Sequence, residues 1–140
     1  MNNIYNNYLF NYKRRKSFPV SIGDSVIGGD NPIRIQSMTT SDTMNTNATV
    51  EEAIRMINSG SEYIRITAPS INEAKNLQNI KKELKKRGFN VPLIADIHFT
   101  PNAAEIAAQI VEKVRINPGN FADKKSFKNI EYDDDSYNTE

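Results

Sequence analysis

Between residues 32 and 117, short apolar stretches alternate with amphipathic helical patterns, and each stretch ends in polar residues spaced two apart. The pairs are Arg34/Gln36, Arg65/Thr67, Asp96/His98 and Arg115/Asn117. Residues i and i+2 of a strand point to one face, so each strand turns apolar side chains one way and polar ones the other. Strand and helix repeated in this order require a parallel sheet, since every return to the same end of the sheet takes a crossover. Two parallel architectures compete. A doubly wound sheet usually carries a glycine-rich phosphate loop after its first strand, whereas here the first strand runs into Gln36-Ser37-Met38-Thr39. A (β/α)8 barrel gathers its functional groups at the C-terminal ends of successive strands, which is where all four pairs fall. The expected fold is therefore α/β, the N-terminal half of a (β/α)8 TIM-type barrel of about four β/α units, preceded by a short β-hairpin. A full barrel takes about 250 residues. This chain has 140, so the expectation is a fragment or one piece of a split protein.

Local signals place the elements. Strands are expected at about 32–38, 62–67, 92–98 and 113–117, and helices at about 50–59, 71–87 and 101–111. The first helix opens with a capping box, Thr49-x-x-Glu52, carries the stripe Val50, Ala53, Ile54 and Ile57, and stops at Gly60. The second opens with Ser70-x-x-Glu73 and stops at Gly88; its basic outer face, from Lys81 to Arg87, suits the negative helix C-terminus. Thr100-Pro101 reads as an N-cap followed by proline at the first helical position. Residues 18–31 read as a hairpin turning at Gly23-Asp24-Ser25, of the kind that plugs a barrel floor. The chain divides into a basic N-terminal arm (1–17), the hairpin (18–31), a partial barrel that binds substrate (32–125) and an acidic polar tail (126–140).

Composition limits the function classes. With 25% charged residues and a formal net charge of +1, no global field draws the chain to nucleic acid or membrane. Any anion recognition is local. The chain has no cysteine, so it offers no disulfide, thiolate nucleophile or thiolate-bound metal, and its single histidine cannot build a multi-histidine site. No apolar run approaches the roughly 18–20 residues of a bilayer span. The basic run Lys13-Arg14-Arg15-Lys16 lacks the apolar stretch of a secretory signal and reads as a solvated arm. A cytoplasmic, bacterial setting is expected rather than a plastid one.

Arg65 and Arg115, read as lying at comparable depth, could clamp a phosphate or carboxylate, or each could pair with a glutamate at the barrel rim. Asp96 could orient His98 or accept from substrate hydroxyls, and His98 could donate to an anion, act as acid or base, or simply pack. Asn117 offers a donor and an acceptor, or serves the turn before Pro118-Gly119. Gln36, Ser37 and Thr39 are secondary candidates that could touch ligand or cap the next loop. Arg34 sits deeper and reads as structural. These residues describe a site for an anionic, oxygen-rich small molecule and name no reaction.

Three motifs add a resemblance. Gly28-Gly29-Asp30-Asn31-Pro32-Ile33-Arg34-Ile35-Gln36-Ser37-Met38-Thr39, Ala95-Asp96-Ile97-His98-Phe99 and Lys113-Val114-Arg115-Ile116-Asn117-Pro118-Gly119-Asn120 resemble the 4-hydroxy-3-methylbut-2-enyl diphosphate synthase family. The resemblance runs from about Tyr12 to Lys125, and the arm together with Thr100-Pro101-Asn102-Ala103-Ala104 is similar to the family's long form. It implies an iron–sulfur oxidoreductase of the non-mevalonate (MEP) isoprenoid pathway, which reductively converts 2-C-methyl-D-erythritol 2,4-cyclodiphosphate to 4-hydroxy-3-methylbut-2-enyl diphosphate. On that resemblance Arg65 and Arg115 hold the diphosphate, while Asp96, His98 and Asn117 line the pocket. It further implies a [4Fe–4S] cluster whose ligands lie outside this chain, flavodoxin or ferredoxin as electron donor, and a homodimer when full length. No residue of this segment is assigned a catalytic role, and the segment alone is expected to be inactive. The competing expectations are a pterin-binding, dihydropteroate-synthase-like barrel and an inactive truncated fragment.

Overall fold

A computed structural model describes residues 16–121. The expected basic arm, up to residue 15, and the acidic tail lie outside the described residues. A two-stranded antiparallel hairpin, β1 (Val20–Ile22) and β2 (Ser25–Ile27), comes first. A four-stranded sheet follows: β3 (Gln36–Met38), β4 (Tyr63–Thr67), β5 (Leu93–Ile97) and β6 (Lys113–Ile116). Helices α1 (Thr46–Asn58), α2 (Ile71–Lys86) and α3 (Pro101–Ala108) connect the strands, and α4 (Pro118–Phe121) is a single turn after β6. The strands are all parallel and stand in the order β3-β4-β5-β6. Sequence neighbours are thus spatial neighbours throughout, with no reversal of strand order such as a doubly wound sheet shows.

Ladder partners in a parallel sheet share a face, which assigns every strand residue to one side. One face carries Ile64, Ile66, Leu93, Ala95 and Ile97, and these pack with Val50 and Ala53 of α1, Ala74, Leu77 and Ile80 of α2, and Ala103 and Ala107 of α3. All three long helices therefore cover a single side, the outer layer of a barrel wall. The other face belongs to the lumen. Its lower end is closed by the hairpin: Ile22, with Ile27 beside it, packs against Tyr63 and Ile94, and the Tyr63 hydroxyl meets Ser25 Oγ at 2.6 Å. The hairpin plugs the floor as its position in the chain suggests.

Several boundaries differ from those expected, each for a local reason. β3 is shorter than 32–38 because Glu62 intervenes: its carboxylate accepts from Ile35 N at 2.9 Å and from Arg34 Nη1 at 2.7 Å. Arg34, whose Nε also donates to Val26 O at 3.4 Å, ties the hairpin to the foot of the sheet, a structural role. α1 begins three residues before Thr49, capped by Asn45, whose Oδ1 accepts from Ala48 N at 3.1 Å. Thr49 is instead fully buried within the helix, its hydroxyl directed to Asn45 O at 3.0 Å and Asp42 O at 3.1 Å. Ser70 does cap α2, but without the reciprocal backbone bonds of a capping box: its Oγ accepts from Asn72 N at 3.2 Å and donates to the Glu73 carboxylate. The first helix therefore has no Thr49 capping box. α3 leaves α-geometry after Ala108, yet Val111 N still donates to Ala107 O at 2.9 Å and Val111 stays buried, so the apolar periodicity outlasts the helix.

Glu52, freed from capping, grips the β3–α1 loop at the C-terminal end of the sheet. Its carboxylate accepts from Thr40 N at 3.1 Å, Ser41 N at 2.9 Å and Thr40 Oγ1 at 2.8 Å. Partial burial pushes this carboxyl up, but the hydrogen bonds from Ser41 and Thr40 outweigh it and hold the group at about 2. A carboxyl lowered on folding stabilises above its unfolded value of 4.5 and loses that contribution as pH falls toward 2. Glu52→Gln is therefore expected to lower the urea midpoint at neutral pH. The gap from the parent should narrow steadily below pH 4.5; a gap independent of pH would refute the assignment.

Candidate anion site at the strand ends

The C-terminal half of the lumen face is polar. Thr67, Asp96 and Arg115 occupy one rung of the ladder, because Thr67 pairs with Asp96 and Asp96 with Arg115. Arg65 pairs with Ile94 and stands one rung lower. Two residues of strand are about 6.6 Å, so the two arginines are not at comparable depth as expected from the sequence. The length of the lower side chain makes up the difference: Arg65 Nη2 donates to Asp96 Oδ2 at 2.5 Å, and Arg115 Nη1 donates to Asp96 Oδ1 at 3.0 Å. Among the described residues neither arginine pairs with a rim glutamate. Asp96 exposes only 2% of its side chain, against 25% for Arg65 and 38% for Arg115.

A buried carboxylate is tolerated when it is paired and hydrogen-bonded. Asp96 spends one oxygen on each guanidinium and so draws two like charges together in the lumen. The cluster keeps one unit of positive charge in excess. Arg65 Nε is buried and lacks a hydrogen-bond partner among the described residues. His98 follows β5, with Nε2 at 3.2 Å from Arg115 Nη1 and 3.6 Å from Asp96 Oδ2. Phe99 takes a left-handed backbone, φ 56°, to turn the chain into the N-cap of α3. A bulky residue in that region stores backbone strain of about 1–3 kcal/mol, of a kind that clusters at functional sites.

The remaining candidates divide. Gln36 is exposed on the lumen face, level with Tyr63. Ser37 points to the helix side, where its hydroxyl meets Ser61 Oγ at 2.6 Å. Thr39 is buried, its N–H on Arg65 O at 3.0 Å, so it locks the loop to β4. Asn117 Oδ1 accepts from Gly119 N at 3.2 Å and serves the turn into α4. Thr43 and Asn76, which no sequence motif singles out, also shape the site. The Thr43 hydroxyl donates to Thr67 O at 2.6 Å, and Asn76 Nδ2 donates to Thr43 O at 2.7 Å, which anchors the loop above the site to the buried side of α2. Nothing in the spacing of an isolated Asn on a helix discloses such a partner; the run of hydroxyl and carboxylate residues from Thr39 to Thr43 is the only hint.

Fold and site together define a class: a TIM-type β/α barrel wall that presents a cationic patch at the C-terminal ends of its strands. The chain belongs to the GcpE TIM-barrel domain family, whose pattern matches residues 17–136. It is 57% identical, over 94% of its length, to 4-hydroxy-3-methylbut-2-en-1-yl diphosphate synthase (flavodoxin) of Parabacteroides distasonis. The proteins of the same name from Phocaeicola vulgatus and Leptospira interrogans are each 53% identical, over 92% and 100% of the chain. The chain spans only 22%, 21% and 21% of these three relatives.

If Asp96 is the shared counter-ion, its removal leaves two cations facing each other. Asp96→Ala is expected to cost about 3–5 kcal/mol in chemical denaturation. Arg115→Ala leaves the Arg65–Asp96 pair standing and should cost no more than about 2 kcal/mol. Equal costs would contradict the sharing.

Proposed function

We propose that Arg65 and Arg115, drawn together by Asp96 at the strand ends, seat the diphosphate of 2-C-methyl-D-erythritol 2,4-cyclodiphosphate. On this reading the protein takes part in the reductive opening of that ring to 4-hydroxy-3-methylbut-2-enyl diphosphate. The observation that carries it is the convergence of two guanidiniums on one buried carboxylate at the strand ends. Arginine offers five N–H donors in a planar fork, so each spends one N–H on Asp96 and keeps others for phosphate oxygens. The name the relatives carry supports both the product and flavodoxin as electron donor. Substrate contacts from His98 and Gln36, assembly as a homodimer and a cytoplasmic setting belong to the same proposal. No helix among the described residues is long and apolar enough to cross a membrane.

The reductive chemistry belongs to the [4Fe–4S] cluster that the family resemblance implies. These 140 residues do not fit a thiolate cluster site: none is a cysteine, and the described residues hold no group of three His, Cys, Asp or Glu placed for a metal. The contribution of this chain is binding, namely charge neutralisation at the diphosphate and its orientation against the lumen wall.

Calorimetry of the chain with the cyclic diphosphate tests this, with a pterin diphosphate as the competing ligand. Arg65→Ala and Arg115→Ala should each weaken binding about 10- to 100-fold, the value of one or two charge-assisted hydrogen bonds. Arg115→Lys should recover only part of the loss, because a point charge cannot replace the fork. Tighter binding of the pterin compound, or indifference to both alanine variants, would refute the proposal. Given iron, sulfide and reduced flavodoxin, the chain should bind substrate without turning it over; product would show that these residues suffice for the reaction.

A further inference from the structure

Arg115 and His98 meet in a way that fixes the histidine's chemistry. Every guanidinium nitrogen of arginine carries hydrogen and donates; none accepts. Arg115 Nη1 has two N–H groups, and two acceptors lie within reach: Asp96 Oδ1 at 3.0 Å and His98 Nε2 at 3.2 Å. Nε2 must therefore turn its lone pair toward Arg115. The alternative is an Nε2–H donating to Asp96 Oδ2, but that gap is 3.6 Å and Oδ2 already receives Arg65 Nη2 at 2.5 Å. A neutral imidazole with its lone pair on Nε2 carries its proton on Nδ1.

We propose that Asp96, acting through Arg115, holds His98 as the Nδ1–H tautomer, so that His98 offers a hydrogen-bond donor to the ligand through Nδ1. Asp96 is then a positioning residue: its carboxylate is used up inside the cluster, with 2% of the side chain exposed, and does not touch the ligand. The exposure of His98 fits the assignment. Its side chain is 36% exposed, and Nδ1 meets no hydrogen-bonding group among the described residues. The strained turn at Phe99 (φ 56°) supports the ring placement, since it redirects the chain immediately after His98. The ligand-facing half of the inference rests on the anion-site reading above. The tautomer does not.

The chain contains one histidine, so its imidazole nitrogens can be read without assignment. With 15N-labelled histidine in the full 140-residue chain, a long-range proton–nitrogen correlation at neutral pH should show a protonated Nδ1 and a pyridine-like Nε2. In Asp96→Asn the preference for Nδ1–H should fade. A proton on Nε2 in the parent chain, or a free mixture of the two forms, overturns the proposal. Side-chain mimicry supplies a second readout, with inorganic pyrophosphate as the probe. An asparagine amide falls near the place of Nδ1 and a glutamine amide near that of Nε2. His98→Asn should keep affinity within about threefold and His98→Gln should lose about tenfold, roughly 1.4 kcal/mol. The reverse order overturns the ligand-facing half. Failure of the parent chain to bind pyrophosphate at all, with the Nδ1–H form observed, would count against the anion site and leave the tautomer standing.

Discussion

The polar half of this structure depends on one carboxylate that cannot stay buried alone. Asp96 sits in β5, the most enclosed strand of the sheet, every residue of which is buried. An isolated charge there would cost several kcal/mol, so the position is tenable only with cations on both sides. β4 and β6 supply them, one each. The requirement runs through the register: Arg115 must be level with Asp96, and Arg65 must be close enough below to reach it. Slipping either ladder by one residue would turn the arginine to the helix side, among Ile66, Ala95 and Ile97. Charge pairing and apolar packing thus select the same register from opposite faces of one sheet.

The lumen face is graded from floor to mouth. At the floor, Ile22, Tyr63 and Ile94 form a small apolar cluster under the hairpin; Arg65 stands level with Ile94, and Asp96 and Arg115 lie one rung higher. The gradient places a low-dielectric base beneath the charged groups, which strengthens their interactions compared with open water. The hairpin is therefore more than a lid on unpaired apolar surface. Through Ile22 and Ile27 it completes the apolar floor on the face that carries Arg65, whose Nε is buried. Above the site, the β3–α1 loop is held by Glu52, Thr43 and Asn76 through hydrogen bonds to its own backbone or made by it, so the upper wall is as defined as the strands.

How much of this the chain discloses in advance follows from the range of each interaction. Helix positions, the glycine stops and the floor-plugging hairpin are local, written in periodicity and turn chemistry over a few residues, and they were legible. So was the set of polar groups aimed at the lumen, because period two along a strand is local as well. What escaped is set across elements. The stagger of Arg65 against Arg115 depends on how β4 and β6 each align with β5, which no single strand encodes. The role of Asp96 as shared counter-ion depends on burial, and burial is a property of the packed sheet. The Thr49 box failed for a related reason: Asn45 is an equally good cap four residues earlier, and Thr49 and Glu52 are drawn away by the loop they fasten. Two valid local signals competed, and tertiary contacts chose between them.

On the proposed diphosphate reading, Asp96 also decides how the site meets its anion. Free arginines on a barrel wall would sample many rotamers, and fixing each costs about 0.5–1.5 kcal/mol on binding. Here that ordering is accomplished during folding, since both guanidiniums are already tethered. The tether has a cost, because one unit of negative charge remains beside the ligand and offsets part of the attraction. A diphosphate carries enough charge to tolerate the offset, whereas a single carboxylate gains less from the one net positive charge and would suffer comparatively more. Arg115 Nη1 is occupied by Asp96 and His98, so under the proposed function the donors left for the diphosphate are Nη2 and Nε of Arg115, the unspent N–H groups of Arg65 and the imidazole of His98. Such an arrangement of donors matches the proposed ligand, whose acceptor oxygens are spread over more than one phosphorus, and it is set by folding alone.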